Sequence, residues 1–326
     1  MKHHKLYRIR SARASDAMAI YELSKQAKSG LSNLPKKLKD AEELVQLSIS
    51  SKNESNYLTK RQFIFVLENN KGQVLGLSGI KARTGIYRPY YSFILHKIPP
   101  YPYLELVKQR LGPSELGSLF LAPEARGKGL GRLLSLSRFL FIKKFSQFFT
   151  PTIIAELRGF LFKNNVSPIW NTLGKKFINS SFHKADISAS KDLDFIEKKF
   201  PKQPIYLNLL EQRSIQYFKK VHPNTEPAKQ LLMSENFKIT NHVDIFDGGP
   251  KLECLAEKIR TINKSQIIKA SQLSHFISKS NYLICNQTSN EFSVIKSTPK
   301  TSIETIKKQL NIINNDEVTI VKERDD

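Results

Sequence analysis

The sequence predicts a mixed α/β (α+β) fold, and three observations support this prediction. Segments typical of strands and of amphipathic helices follow one another through the first half of the chain. A helix-then-strand pattern occurs twice in the middle, and short alternating strands dominate the end. The 326 residues, 40% of them hydrophobic, can fill more than one core. We therefore expect three regions: residues 1–160, residues 161–253 and a small β-rich unit at residues 254–326.

The first region is predicted to begin with a strand, two helices and a hairpin. Ser15 and Asp16 can cap a helix whose apolar residues recur at helical spacing, and the turn Asn69–Gly72 joins two β-rich runs. In order, the predicted elements are strand Leu6–Arg10, helix Ala17–Ala27, loop Ser29–Pro35, helix Lys36–Ser48, and strands Gln62–Leu67 and Val74–Ile80.

The remainder of the first region alternates strand and helix. Pro123 ends one strand, Pro151 precedes a strand of the buried type, and stretches rich in Pro and Tyr flank a shorter one. The predicted elements are strands Ser92–Leu95, Glu115–Leu121 and Ile153–Leu157 and helix Leu133–Phe145.

Two later segments resemble each other. Pro168–Phe177 and Pro227–Phe237 are each predicted to form a short helix that runs into an aromatic-led strand, which suggests two related half-units. In the last region the predicted elements are strands Tyr282–Cys285, Phe292–Ile295 and Val318–Val321 and helix Ser302–Leu310.

Composition restricts the class of protein. The net charge of +23 is compatible with nucleic-acid binding, but the lysines are scattered and no nucleic-acid-binding motif accompanies them, so we favour solvated surface lysines. No apolar run approaches the roughly 18 residues of a membrane span, and we see no signal peptide. Cys254 and Cys285 form neither a disulfide framework nor a zinc site. We expect a cytosolic protein without a metal or membrane partner.

A glycine-rich loop carries the most specific chemical signal. Arg126-Gly127-Lys128-Gly129-Leu130-Gly131 follows a predicted strand and precedes a predicted helix. The glycines allow close approach of a ligand to backbone N–H groups, the helix adds its positive end, and Arg126 and Lys128 add full charges. The loop is therefore a candidate site for a pyrophosphate. A tight strand-to-helix connection without a ligand is the alternative interpretation.

The spacing Arg-x-x-Gly-x-Gly resembles that of the GNAT acyltransferase superfamily and differs from a Walker or Rossmann loop. The segment Ile9–Ala12 before Asp16 and the hairpin with its Val74-Leu75-Gly76 step also resemble the start of a GNAT domain. This resemblance implies a GNAT-like fold in which residues 1–160 bind an acyl-CoA.

A closer resemblance is to the arginine N-succinyltransferase family, and it runs from about residue 7 towards the C-terminus. The matching blocks include Ser114–Leu116, Leu119–Leu121, Leu134-Ser135, Ser137–Phe139, Ala155-Glu156, Arg158-Gly159, Ser167-Pro168, Leu173–Lys175, Pro204–Tyr206, Val221–Pro223, Asp244–Pro250 and Leu252–Cys254. The resemblance implies transfer of a succinyl group from succinyl-CoA to the α-amino group of L-arginine, as the first step of arginine breakdown.

The resemblance also implies roles for two residues. The proton-donor histidine of the family falls on His222, and its succinyl-CoA contact falls on Leu119, whose apolar side chain suggests a contact through the backbone. His222 lies in Val-His-Pro, where Pro223 restricts the backbone. A structural histidine is the alternative interpretation, and His96 is a second candidate.

Several questions stay open from the sequence. Another amine such as ornithine, or acetyl-CoA as donor, would fit the same superfamily, and a basic nucleic-acid-binding protein is the alternative of a different class. An assembly of identical chains is also open. Candidate partners for a guanidinium are Glu115, Glu156, Asp244 and Asp247, and those for the succinyl carboxylate are Arg138 and Arg158.

Overall fold

The computed structural model describes residues 6–324 except 28–33, 54–55, 57, 164, 193 and 279. Its strands are β1 (Tyr7–Ser11), β2 (Gln62–Asn69), β3 (Val74–Lys81), β4 (Tyr90–His96), β5 (Tyr103–Gln109), β6 (Ser114–Leu121), β7 (Thr152–Glu156), β8 (Ile205–Tyr206), β9 (Lys238–Val243), β10 (Pro250–Leu255), β11 (Gln266–Lys269), β12 (Tyr282–Asn286), β13 (Ser293–Ser297) and β14 (Glu317–Lys322).

The helices of the described residues are α1 (Ala17–Gln26), α2 (Leu38–Ser50), α3 (Leu130–Lys144), α4 (Lys175–Phe177), α5 (Phe182–Lys191), α6 (Phe195–Lys199), α7 (Gln212–Ile215), α8 (Glu226–Ser234), α9 (Arg260–Asn263), α10 (Leu273–Ile277) and α11 (Ile303–Leu310). A π-helical turn, Trp170–Gly174, precedes α4. None of the described helices is both long and apolar enough to span a membrane.

All fourteen strands form one sheet in the order β11-β14-β12-β13-β1-β2-β3-β6-β7-β10-β9-β4-β5-β8. The described pairings are antiparallel except that of β6 with β7. These two strands are joined through α3, because a parallel connection needs a crossover long enough to return the chain to the same end of the sheet. The glycine loop therefore lies at the carboxyl end of β6, directly before α3.

The described residues form three hydrophobic clusters. The first surrounds Phe141 on α3, whose ring lies 4.9 Å from that of Phe63 and 4.7 Å from that of Phe65. The second surrounds Trp170, and the third lies among β12–β14 and α11. The second cluster also contains Phe93 of β4 and Leu104 of β5. The division at residues 160 and 253 stays a prediction, and by packing the β4–β5 hairpin belongs with the later residues.

The predicted mixed α/β fold is confirmed, and most elements differ from prediction by a few residues at their ends. Helix α3 begins at Leu130 rather than Leu133, because Gly129, at φ 73°, starts it. Strand β5 was not predicted, since prolines and tyrosines around residues 99–103 indicated a loop. Residues 29–33 of the predicted loop Ser29–Pro35 lie outside the described residues.

The proposed internal repeat differs between its two copies. Helix α8 leads into β9 as predicted. The segment Pro168–Phe177 is helical but does not run into a strand: it is followed by a short connection and then by α5. The Nε1 of Trp170 donates to the carbonyl of Ser180 at 3.0 Å, so the indole holds the connection after Phe177, where a strand was predicted.

A buried ion cluster joins β1, β2 and the start of α1. Arg10 donates to both carboxylate oxygens of Asp16, at 2.6 and 2.9 Å, and to Glu68 at 2.7 Å, while Arg8 also contacts Glu68. Asp16 is the N-cap residue of α1, as predicted, but its side chain makes no capping bond to that helix and accepts the backbone N–H of Arg13 instead, at 2.7 Å. Arg10, Asp16 and Glu68 are buried while Arg8 keeps some exposure, and each charge of the cluster lies beside an opposite one.

We expect Asp16→Asn to lower the free energy of unfolding by about 3 kcal/mol, because it leaves Arg10 buried with one fewer counter-ion. Burial alone would raise the pKa of Asp16, but hydrogen bonds from Arg10 and Arg13 lower it below 3.8. Its contribution is therefore complete above the unfolded pKa and is lost as the pH falls through the lowered folded pKa. Urea unfolding at several pH values measures this, with Glu22→Gln in an exposed pair as the control.

Candidate active site

The candidate site lies where two parallel strands separate. Residues 114–116 of β6 pair with residues 153–155 of β7. Beyond them the described backbone shows no further pairing between these strands. Ser118 adopts a left-handed φ of 53° where β6 shifts register against β3. A wedge therefore opens between the second half of β6, which carries Leu119, and the end of β7.

The glycine loop stands at the open end of β6. A short turn, Pro123–Ala125, leads into it, and Gly127 and Gly129 both have φ of 73° with no atom within 4 Å of a β-carbon placed on either residue. Gly129 is the N-cap of α3, and Gly131 lies in the first turn of that helix. Left-handed glycines in open space leave the first N–H groups of α3 accessible to an anion.

The side chains of Arg126 and Lys128 fold back and donate to backbone carbonyls that precede them in the chain. Arg126 donates to the carbonyl of Leu121 at 3.1 and 3.2 Å, and its guanidinium carbon lies 5.6 Å from the ring centre of Phe120. Lys128 donates to the carbonyl of Glu124 at 2.5 Å. Both side chains are exposed, so their charges stay at the loop although neither side chain extends over the helix N-terminus.

The carboxylate of Asp247 fixes the chain beyond β7. Its Oδ2 accepts the N–H of Gly159 at 2.9 Å, and its Oδ1 accepts the N–H of Gly249 at 2.8 Å. A β-carbon at Gly159 would lie 2.3 Å from the carbonyl oxygen of Asp247, and one at Gly249 would lie 2.1 Å from that of Leu157. The two glycines are therefore required for this close approach, which explains the residues of the Asp244–Pro250 block.

His222 is held against the other edge of the same segment. Val221 forms a bridge with Gly159, and the N–H of His222 donates to the carbonyl of Arg158 at 2.9 Å. The N–H of the preceding Leu157 points the opposite way, to Pro250 of β10. Because backbone groups of successive residues in a strand point to opposite edges, His222 lies along the edge of β7 that β6 has left. The wedge thus contains both His222 and the backbone of β6.

The ring of His222 has a defined hydrogen bond and a lowered pKa. Its Nδ1 accepts the backbone N–H of Asn224 at 3.2 Å, which places the hydrogen of the neutral ring on Nε2. Partial burial and the nearby charge of Arg158 lower the pKa of His222 below 6.5. The side chain is therefore mostly neutral at pH 7, with an N–H available for donation.

The second histidine candidate lies elsewhere. His96 ends β4, which is separated from β7 by β10 and β9, and its Nε2 bonds to Glu105 on β5 at 2.8 Å. Its ring stacks on Tyr103 at 4.4 Å. His96 is therefore not brought together with His222 and Leu119.

Of the two arginine candidates, only Arg158 adjoins His222. Arg138 is buried within α3, where it donates to the carbonyl and hydroxyl of Ser135, and burial lowers its pKa to about 10. Within the described part of the chain, no group of three or more His, Cys, Asp or Glu side chains has the arrangement of a metal site.

Sequence reasoning missed three residues next to the wedge. Tyr90 donates to Glu156 at the end of β7, Lys81 pairs with Glu115 at 2.8 Å, and Lys251 lies 4.8 Å from the ring centre of Tyr90. No local motif marks them, because they come from β4, β3 and β10 and meet only in the folded sheet. The alternation of side chains along each strand is the one signal that could have indicated Lys81 and Lys251.

The matches to known proteins place this fold among the N-acyltransferases that use a CoA thioester. A family model described as the beta subunit of arginine N-succinyltransferase matches residues 7–261. The chain belongs to the arginine N-succinyltransferase family, as its relatives also show.

An arginine N-succinyltransferase of Shigella dysenteriae serotype 1 is 34% identical over 276 residues, which is 81% of this chain and 80% of that protein. One from Escherichia coli O127:H6 is 36% identical over 278 residues, with the same shares. The fold matches that of the arginine/ornithine succinyltransferase subunit AI from Pseudomonas aeruginosa with a TM-score of 0.84 and 24% identity, over 99% of this chain and 100% of that one.

We expect Gly129→Val to weaken CoA binding by about tenfold or more, because a branched side chain resists the left-handed conformation and stands over the helix N-terminus. The upward shift of the melting temperature on adding CoA measures binding. Gly72→Val is the matched control, since Gly72 has φ 77° and similar open space in the β2–β3 turn. Substitution should lower the melting temperature of both variants by similar amounts. An equal upward shift of the melting temperature on adding CoA in both variants would contradict a role for the loop.

Proposed function

We propose that the protein transfers the succinyl group of succinyl-CoA to the α-amino group of L-arginine. The amine nitrogen attacks the thioester carbonyl, the carbon–sulfur bond breaks, the amine loses a proton and the CoA thiolate gains one. The products are N2-succinyl-L-arginine and CoA. The observation that carries the proposal is the position of His222, which lies along the edge of β7 facing the separated half of β6.

The proposed roles follow from where each group lies. The loop residues Arg126, Gly127, Lys128, Gly129 and Gly131 hold the pyrophosphate, with Arg126 and Lys128 exchanging backbone carbonyls for phosphate oxygens. Leu119 contributes its backbone, which hydrogen-bonds the pantetheine or the thioester oxygen. His222 acts as the acid/base group, and the hydrogen bond at Nδ1 leaves Nε2 as the ring nitrogen that can exchange a proton with the substrates.

The proposal also covers the compartment, the range of substrates and the assembly. Cys254 and Cys285 are buried thiols without a disulfide, which supports a reducing compartment such as the cytosol. Ornithine or another amine, and acetyl-CoA in place of succinyl-CoA, are the alternatives within the same class. Assembly of identical chains is a further proposal.

A substrate panel tests the proposal. Release of CoA thiol is measured with succinyl-CoA or acetyl-CoA and with L-arginine, L-ornithine or spermidine as acceptor. We expect succinyl-CoA with L-arginine to give the highest kcat/KM. If arginine gave no release while another amine did, the acceptor would be wrong and the N-acyltransferase class would stand.

We expect His222→Gln to lower kcat by about 10²-fold, the usual contribution of a positioned acid/base group, with little change in CoA-induced stabilisation. His275→Gln, in an exposed helix position, should leave kcat unchanged. Where activity requires the neutral ring of His222, it should fall only as the pH drops through its lowered pKa, below 6.5. A variant that kept both kcat and this acid limb would exclude His222 from proton transfer.

A further inference from the structure

Four charged residues form a row on one face of four adjacent strands. Lys81 of β3 is paired in register with Glu115 of β6, and Glu156 of β7 is paired with Lys251 of β10. Glu115 is in register with Ile154, two residues before Glu156, so both carboxylates lie on the same face of the sheet. The row crosses the base of the wedge.

The two carboxylates have different partners. Glu115 is buried and accepts from Lys81 at 2.8 Å, so its charge is balanced by a direct ion pair. Glu156 accepts from the hydroxyl of Tyr90, while the Nζ of Lys251 lies over the ring of that tyrosine at 4.8 Å. Among the described residues, no hydrogen bond reaches the second oxygen of Glu156, Oε2, and the side chain retains some exposure. Glu156 thus has an acceptor available for a further donor.

Open space lies beside that acceptor. Gly117 follows Glu115 by two residues, so it comes next to Glu156 on the same face just where β6 and β7 separate. A β-carbon at Gly117 would meet no atom within 4 Å, although its neighbours Leu116 and Ser118 are buried. The strand therefore leaves a gap over its own backbone in front of Glu156.

The electrostatics of this gap favour a cation. Burial, then the charges of Glu115 and Asp244, raise the pKa of Glu156 to about 8, against the opposing effects of Tyr90 and Lys251. Glu156 therefore holds a proton more tightly than an exposed carboxyl group does, because Lys251 and Tyr90 oppose the rise in its pKa only in part. A cationic donor would replace that proton and allow the carboxylate to ionise.

We propose that Glu156, oriented by the hydroxyl of Tyr90, binds the side-chain guanidinium of the amino-acid acceptor in the gap over Gly117. This assignment rests on the proposed function. A guanidinium offers several N–H donors in one plane, which suits a carboxylate with a free oxygen better than a single ammonium does.

The position relative to His222 agrees with this assignment. Glu156 precedes Arg158 by two residues, a step of about 6.6 Å along an extended strand, and the backbone of His222 is bonded to Arg158. An arginine whose guanidinium meets Glu156 can therefore extend its α-amino group towards His222 and the thioester. Glu156 is a specificity-determining residue in this arrangement, and the acid/base role stays with His222.

Discrimination between arginine and citrulline tests the proposal. Citrulline replaces the guanidinium by an uncharged group of the same shape. We expect Glu156→Gln to raise the KM for arginine by about 10- to 100-fold, as for loss of a charged hydrogen bond, and to reduce the preference for arginine over citrulline by a similar factor. Glu156→Asp should retain most of that preference. The KM for succinyl-CoA and the stabilisation by CoA should not change.

The matched control is Glu253→Gln, which removes an exposed carboxylate from the same strand as Lys251. It should leave both amino acids unaffected. An unchanged arginine-to-citrulline preference in active Glu156→Gln enzyme would overturn the proposal. If the wild-type protein released no thiol with arginine, the proposed function itself would be wrong, so the two failures are distinguishable.

Proton release on arginine binding gives a second readout. Calorimetric titration of the CoA-bound protein with arginine at pH 7, in two buffers of different ionisation heat, should show less proton release for Glu156→Gln than for wild type. The charged groups that face Glu156 are Lys81, Tyr90, Glu115, Asp244 and Lys251.

Tyr90→Phe extends the test to a protein in which Glu156 is intact. If Glu156→Gln does not fold, this variant tests the assignment of Glu156 in its place. Loss of the phenol removes a hydrogen bond that lowers the pKa of Glu156, so this variant should release more protons and bind arginine more weakly at pH 7. Proton release and affinity equal to wild type would count against the assignment.

Discussion

The site depends on the hydrogen bonds that the carboxylate of Asp247 accepts from the backbone. This carboxylate accepts N–H groups from Gly159, beyond β7, and from Gly249, before β10. Gly159 in turn bridges Val221, the residue before His222, so the carboxylate of Asp247 helps to set the position of the histidine. Burial and the neighbouring Asp244 raise the pKa of Asp247 well above its usual range, and both hydrogen bonds to glycine N–H groups oppose that rise. This junction therefore fixes Gly159, to which the histidine segment is bridged, and the N–H of His222 adds a bond to the carbonyl of Arg158.

The charge of the whole chain and the charge of the wedge have different origins. The net charge of +23 arises from lysines spread over the sequence, and it favours approach of an anionic CoA thioester in general terms. At the base of the wedge, Glu115 and Glu156 stand between Lys81 and Lys251, and only Glu115 is in a direct ion pair. The uneven pairing of these carboxyl groups is the feature on which the proposed binding of a cationic acceptor rests.

The sequence alone predicted those parts of the fold that depend on local sequence patterns. The hairpin β2–β3, the glycine loop and α3 follow from periodicity and from glycine conformations, and the family follows from short blocks of residues. The row of Lys81, Glu115, Glu156 and Lys251 does not, because it depends on the register of four strands that are distant in sequence. Strand β5 was missed for a related reason: partners on β4 and β8, and not local propensity, make residues 103–109 extended. The assignments of His222 and Leu119 came from resemblance and stay predictions.

The β4–β5 hairpin couples the two halves of the chain during folding. Residues 90–109 are made before α3, yet their apolar side chains belong to the cluster of Trp170, and β4 pairs with β9 beyond residue 237. Closing the long loops between such distant segments costs conformational entropy before any contact compensates for it. We therefore expect residues 90–109 to pair with β9 only after the residues beyond 237 have been made. The sheet between β7 and β4 is complete only when β9 and β10 are present, so a chain that ended before residue 238 would leave β4 without its partner on that side.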